Sequence, residues 1–290
     1  MKLIDGKLLS DTIKNEIKVE VDQMIARGDK RPYLAAVLVG NNPASEAYVG
    51  NKIRSCEQVG FHSTLVRRDV NVSQTELLEI VKDLNDNPDV DGFIVQLPLP
   101  KHIDETAVTL AINPAKDVDG FHPVNFGRMT QGLPAYLPAT PAGILEMLKR
   151  YKIKTAGKNC VVIGRSNIVG TPMSILLSRK GWDCTVTIAH SRTKDLEKVC
   201  KKADILIAAI GVAHFVKADM VKKGAVVIDV GMNRIDDATK KSGSRLVGDV
   251  DFDAVAPKCS YITPVPGGVG QMTVTSLMLN TLKAAQGGVF

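Results

Sequence analysis

Apolar residues recur along this chain with two different periods, and their alternation predicts an α/β protein. Between Ser10 and Gly28, Ile13, Ile17, Val21 and Met24 fall on one helical stripe. Ser10 is the expected cap of that helix and Gly28 its expected stop. Tyr33 to Gly40, YLAAVLVG, is instead a short continuous apolar run, as in a parallel strand covered on both faces. A helix follows, with Val49, Ile53 and Cys56 as its buried stripe and Tyr48 and Lys52 beside that stripe. Next come a strand near Phe61 to Arg68, a helix opened by a Ser73/Glu76 capping box, and an apolar strand, VDGFIVQLPLP, ending at Gln96. From Pro114 to Pro138 the pattern lapses into Gly, Pro, Asn and polar residues, which predicts an irregular loop. A helix is expected from Thr140. The runs NCVVIG, CTVTIAH, DILIAAI and GAVVIDVG then read as strands, and QMTVTSLMLNTLKAAQ as a closing amphipathic helix. This order predicts parallel sheets with helical crossovers. Domain junctions are expected near Thr140 and Gly270, with the last helix returning to the first domain.

Composition narrows the class. A chain of 290 residues is long enough for one large or two ordinary domains. A hydrophobic fraction of 44% and a charged fraction of 23% are ordinary for a soluble globular protein. Aromatics at 4% argue against a nucleic-acid binder that works by base stacking. The net charge of +6 is scattered, and it favours an anionic ligand such as a phosphorylated cofactor. The five cysteines form no CxxC pair, so reduced thiols and a cytoplasmic setting are expected. The start, MKLIDGKLLSD, lacks the apolar core of a signal peptide, and no apolar run approaches a membrane span. The five histidines are dispersed, so no metal site is expected.

Three groups of residues carry candidate chemistry. Tyr48 and Lys52 stand four apart and share one helix face. Gln96 ends a strand, where α/β proteins place their ligands. With a carboxylate from Asp117 or Asp119, they point to proton transfer on an organic substrate. The second group is VVIGRSNIVGTP. Its spacing, Gly164-x-Ser166-x-x-x-Gly170, departs from GxGxxG but still supplies a tight turn and backbone N–H groups for a pyrophosphate. The next strand ends in His190-Ser191-Arg192-Thr193, with no acidic residue for ribose hydroxyls. Ser191 and Arg192, together with Arg165, favour a 2′-phosphate. The third group is TPVPGGVGQMT, whose glycines imply a close backbone approach to cofactor, substrate or a neighbouring strand.

The segments SEAYVGNK, DGFIVQLPLP, INPAKDVDGFH, GRSNIVGTP, HSRT and TPVPGGVG resemble the bifunctional methylenetetrahydrofolate dehydrogenase/methenyltetrahydrofolate cyclohydrolase family over essentially the whole chain. The resemblance implies two α/β domains with a cleft between them. Residues 1–139 plus 271–290 would form a folate-binding catalytic domain, and residues 140–270 a Rossmann-like NADP-binding domain. It implies oxidation of 5,10-methylenetetrahydrofolate by NADP, then hydrolysis of the methenyl product to 10-formyltetrahydrofolate. The family's tyrosine, lysine and glutamine match Tyr48, Lys52 and Gln96, and the second aspartate of KDVDG matches Asp119. Pro266, Gly267 and Gly268 join the expected substrate site. The cofactor residues are Gly164, Arg165, Ser166, Ile168, Ser191, Arg192 and Gly231. In this reading Lys52 manages protons in the hydrolysis, Gln96 orients its amine, Tyr48 stacks on a folate ring, and Asp119 accepts hydrogen bonds from the pterin. A free ammonium is no base at neutral pH; desolvation and a cationic substrate are what would make it one.

The expected partners are tetrahydrofolate derivatives and NADP, with no nucleic acid and no membrane. The resemblance also implies a cytoplasmic homodimer serving purine biosynthesis. Two other readings stay open. A shikimate-type NADP dehydrogenase is opposed by the KDVDG and PVPGGVG segments. A nucleotide-sensing protein without catalysis is opposed by Tyr48, Lys52, Gln96 and Asp119 occurring together. One departure is Gln271, where the family usually has proline; it bears on the rigidity of the glycine-rich turn.

Overall fold

The short apolar runs of the chain pair as parallel strands, with helices in the crossovers between them. The computed structural model describes residues 1–240 and 243–289. The first half contains β1 (Lys2–Leu3), α1 (Gly6–Ala26), β2 (Tyr33–Val39), α2 (Pro43–Val59), β3 (His62–Arg68), α3 (Gln74–Asp86), β4 (Gly92–Val95), α4 (Glu105–Ala111) and α5 (Pro123–Gln131). The second half contains α6 (Ala139–Arg150), β5 (Asn159–Ile163), α7 (Gly170–Ser178), β6 (Thr185–Ala189), α8 (Leu196–Cys200), β7 (Ile205–Ala208) and β8 (Val226–Asp229). It continues with β9 (Asn233–Asp236), β10 (Ser244–Val247), α9 (Phe252–Val255), β11 (Tyr261–Ile262) and α10 (Val269–Ala285).

The chain divides into two compact units. One comprises Asp11–Ala139 and the segment from Val274 onward. Its parallel sheet has the order β3-β2-β4. The central strand β2 is buried from Leu34 to Val39, as its unbroken apolar run requires. One face packs Val37, Phe93 and Val95 against Leu77, Val81 and Val108 of α3 and α4. Beyond β4 the chain returns alongside it: Phe93 N–H donates to the Lys116 carbonyl at 3.0 Å, and Phe93 bridges Asp117 in parallel. This short pairing carries residues 116–119 along the edge of β4 toward Gln96. The α1 stripe is as expected, with Ile13, Ile17, Val21 and Met24 at most 3% exposed.

The other unit comprises Met1–Ser10 and Thr140–Thr273. Its sheet has six strands in the order β1-β11-β8-β7-β5-β6, all pairs being parallel. From β5 the chain goes to β6 on one side and then to β7 on the other. The order therefore reverses between β5 and β7, which creates a strand-end crevice.

Several expectations need correction. Residues 1–10 join the second unit, not the first, because Lys2 and Leu3 pair with Tyr261 and Ile262 at the sheet edge. At the other junction the division falls within α10, after Thr273 and not after residue 270. Helix α1 starts at Gly6, not at Ser10, because the Asp5 carboxylate accepts from the Leu8 N–H at 2.9 Å and caps it earlier. Half of the Ser73/Glu76 box forms: Ser73 Oγ accepts from Glu76 N–H at 3.1 Å, while the Glu76 carboxylate pairs with Arg68. The stretch 114–138 is not wholly irregular. It contains α5, whose cap is His122, with Pro123 opening the helix and Gly132 ending it. The hairpin β9–β10, the helix α4 and the edge strands β1 and β11 were not expected, being too short for a periodic signal.

Asn280 of α10 is 9% exposed and donates to the carbonyls of Val118 and Leu137 at 2.8 and 3.0 Å. Asn280→Ala leaves both carbonyls without that donor. We expect a loss of about 1–3 kcal/mol in urea denaturation, and an unchanged midpoint would show that the contact is dispensable.

Candidate functional site

Helix α2, the end of β4 and the returning segment 116–119 converge on one ammonium group. Lys52 is only 8% exposed. It therefore lies on the buried face of α2 and not beside it, whereas Ile53, expected in the core stripe, is half-buried. Lys52 Nζ donates to Gln96 Oε1 at 3.2 Å. Asp119 Oδ2 stands 4.0 Å from the same nitrogen. The Gln96 amide is fixed at its other end, with Nε2 donating to the Leu97 carbonyl at 2.7 Å. That bond settles which amide atom faces the lysine. Gln96 N–H still pairs with Val37, so the side chain leaves from the last residue held by the sheet. Tyr48, one turn before Lys52, is half-buried, and burial pushes its phenol up, so it stays a neutral donor. An ammonium, an amide oxygen and a carboxylate thus meet in a partly desolvated place. They can orient an organic substrate and exchange protons with it.

Burial and partners distinguish Asp117 from Asp119. Asp117 is 2% exposed. Its carboxylate accepts from Phe121 N–H at 3.2 Å, His122 N–H at 2.8 Å and Asn125 Nδ2 at 2.9 Å. It holds the turn, and Asp119 faces the lysine. Burial outweighs those hydrogen bonds and pushes the Asp117 carboxyl up to about 6. His122, depressed by burial, offers Nδ1 as acceptor to Val124 N–H at 3.1 Å and so caps α5. Asn125 and His122 were missed in the sequence. The available signal was His-Pro after a DG turn, a helix start.

In the second unit the turn after β5 is built as expected in outline. Gly164 has φ +117, and a Cβ there would collide with the Ala209 carbonyl. Arg165, Ser166 and Ile168 follow, all exposed. The N–H groups of Val169 and Gly170 turn to Ser166 Oγ at 3.1 and 3.4 Å. The start of α7 is therefore partly satisfied by its own serine. Gly164 N–H donates to Ala189 at the end of β6, so the turn carrying Arg165 and the one carrying Ser191 and Arg192 leave neighbouring strand ends. These three side chains are exposed, and neither arginine enters an ion pair among the described residues. Two free guanidiniums and a hydroxyl with no acid among them fit a 2′-phosphate dianion.

The glycine-rich turn meets a partner that the sequence left open. Lys7 N–H donates to the Gly267 carbonyl at 3.0 Å, and a Cβ on Gly6 would strike Gly268. The close approach is thus to the first turn of α1. Pro266 precedes this contact. Gln271 N–H donates to Gly268 at 3.2 Å, a bond that proline could not make. At Gly231 a Cβ would collide with the Asp249 carboxylate, which explains that glycine without a ligand. All five cysteines are free and buried. Among the described residues no group of three or more His, Cys, Asp or Glu could hold a metal, and no helix is long and apolar enough to cross a membrane.

Both halves of the chain match known proteins. Residues 4–119 match the model of the tetrahydrofolate dehydrogenase/cyclohydrolase catalytic domain, and residues 138–288 that family's NAD(P)-binding domain. The chain is 61% identical over 292 aligned positions to the bifunctional protein FolD of Phocaeicola vulgatus, covering 100% of each. Among solved structures it is similar to the bifunctional FolD methylenetetrahydrofolate dehydrogenase/cyclohydrolase of Campylobacter jejuni. That match has 45% identity and a TM-score of 0.94, with 99% of each chain covered. A FolD from Trypanosoma brucei complexed with NADP and an inhibitor matches at 37% identity with a TM-score of 0.94, covering 98% of this chain and 97% of that one.

The raised Asp117 carboxyl has a consequence for stability. Between the usual carboxylate range and about 6, the folded protein holds this proton and the unfolded chain has lost it. Its contribution is therefore full below about pH 4 and is lost as pH rises through about 6, a change on the order of 3 kcal/mol. Denaturation midpoints of the parent and Asp117→Asn between pH 4 and 7 should show a shallower fall in the variant. Parallel curves would mean that Asp117 does not titrate there.

Proposed function

The chain belongs to the tetrahydrofolate dehydrogenase/cyclohydrolase family, and on that footing we propose how its own residues divide the work. It is a bifunctional enzyme that oxidises 5,10-methylenetetrahydrofolate with NADP and hydrolyses the resulting 5,10-methenyltetrahydrofolate to 10-formyltetrahydrofolate. NADP, when bound, supplies the acceptor for the hydride that leaves the one-carbon bridge.

The observation that carries the assignment of roles is Lys52, nearly buried, with Gln96 at 3.2 Å and Asp119 at 4.0 Å. In the hydrolysis, water adds to the methenyl carbon and one ring nitrogen leaves. Lys52 manages the protons of both events, and a methenyl cation beside it favours the neutral amine that can accept one. Gln96 holds the amine by its oxygen. Asp119 accepts hydrogen bonds from the pterin, and Tyr48 packs against a folate ring. Hydride transfer needs orientation more than acid–base help.

For NADP, Gly164 allows the turn, Ser166 and Ile168 border the dinucleotide, and Arg165, Ser191 and Arg192 hold the 2′-phosphate. Gly231 borders the cofactor from the end of β8. The same reading takes the protein as a cytoplasmic homodimer that supplies one-carbon units to purine biosynthesis; these parts rest on the family resemblance.

The direct test is a spectroscopic assay with methylenetetrahydrofolate and NADP. A parent protein that produces no methenyl compound sinks the reading. Lys52→Met should abolish methenyl hydrolysis while folate still binds and part of the dehydrogenase activity survives. Hydrolysis at the parent rate would remove Lys52 from the mechanism.

Cofactor choice gives a second measurement, kcat/KM for NADP and for NAD. Each charge-assisted contact to the phosphate contributes roughly 1.5–3 kcal/mol. Arg165→Ala and Ser191→Asp should therefore each narrow the preference for NADP by about one to two orders of magnitude. A parent that uses both cofactors equally would show that the phosphate pocket lies elsewhere.

A further inference from the structure

A carboxylate with no solvent access sits at the strand ends of the larger sheet. Asp249 is 0% exposed. Its Oδ2 accepts from the N–H groups of Ile210 and Gly211 at 2.7 and 3.0 Å. Its Oδ1 accepts from Val212 N–H and from Asn233 Nδ2, both at 2.9 Å. Two separate loops, those leaving β7 and β8, thus converge on one side chain. Asp229 at the end of β8 locks the arrangement from below. Its Oδ1 accepts from the N–H groups of Gly231 and Asp249, and its Oδ2 from that of Val250, each at 2.9 Å. Glycines stand at 231 and 248 because these two carboxylates occupy the space a Cβ would need.

The loop leaving β7 borders the crevice where the strand order reverses between β5 and β7, and Asp249 ties the loop leaving β8 to it. The turn at Gly164 leaves no room for a Cβ against Ala209, the residue before the tied segment. Each tied loop also carries a partly exposed apolar side chain: Val212 is 50% exposed, and Met232, whose methyl lies against Gly270, is 42% exposed, as is Ile168 of the turn after β5. Exposed apolar side chains on strand-end loops suit the face of an aromatic ring.

We propose that Asp249 is a positioning residue for the dinucleotide. By fixing Ile210–Val212 and Asn233, it holds Val212 and Met232 ready to receive the cofactor ring. The inference rests on the reading of this unit as the NADP-binding one.

The test uses Asp249→Asn and Asn233→Ala in the full chain. Asparagine keeps one acceptor oxygen and turns an NH2 toward backbone N–H groups. In the ligand-free protein, hydrogen exchange at 210–212 should accelerate at least tenfold. The Kd of NADP by calorimetry, and its KM, should rise at least tenfold. The KM for folate and the rate of methenyl hydrolysis, which consumes no cofactor, should stay within about twofold. Asn233→Ala removes a single donor and should move the same quantities less, which keeps the test open if Asp249→Asn does not fold. Unchanged NADP affinity in a folded variant would overturn the inference. So would an equal loss of hydrolysis and NADP binding, the mark of a general structural role. Failure of the parent itself to bind NADP would instead overturn the reading of the whole unit.

Discussion

The geometry around Lys52 depends on one buried carboxylate whose oxygens are filled by donors of the protein itself. Asp117 is bridged to Phe93 at the sheet edge, and its oxygens gather donors from Phe121, His122 and Asn125. The chain is thereby forced to turn just past β4. Two residues on, Asp119 faces Lys52, while Gln96 reaches the same nitrogen from the end of β4 itself. A side chain whose oxygens are filled by protein donors is a poor ligand and a good anchor. Its neighbour, with one oxygen directed at an ammonium, has capacity left for a substrate.

The second unit solves a similar problem by similar means. Its strand-end loops are irregular, so their backbone N–H groups need acceptors that no sheet partner supplies. Asp229 and Asp249 supply them from inside the fold. Burial pushes the Asp229 carboxyl up to about 6, outweighing its backbone donors. Anchoring carboxylates lie within the protein, while the arginines and serine suited to an anion lie outside it. The division follows from solvation: a carboxylate surrounded by donors tolerates burial, and a phosphate site must stay open to its ligand.

Much of this was legible in the chain. The long periodic helices and the uninterrupted apolar strands are local signals, because burial on one stripe or on both faces imposes a composition that reads directly from residue spacing. So does the pairing of Tyr48 with Lys52, which needs only the pitch of a helix. Short elements gave no such signal. The two-residue strands β1 and β11 exist only because each pairs with a strand distant in sequence, and α5 depends on a histidine cap inside a segment otherwise full of loop residues.

The sequence by itself determined the α/β class, the two series of strands and helices, and the residue types available for folate and NADP chemistry. Tertiary structure decided which of two aspartates two residues apart is buried among donors and which faces Lys52, since that depends on residues brought in from β4 and α5. It also decided that Lys52 is buried. The i, i+4 spacing fixes the helix face it shares with Tyr48, but only the packing of the unit fixes whether that face meets water. The glycines at 231, 248 and 268 were visible as letters, and the atoms that require them come from other parts of the chain. A local pattern records what a residue can do, and contacts across the fold determine what it is left free to do.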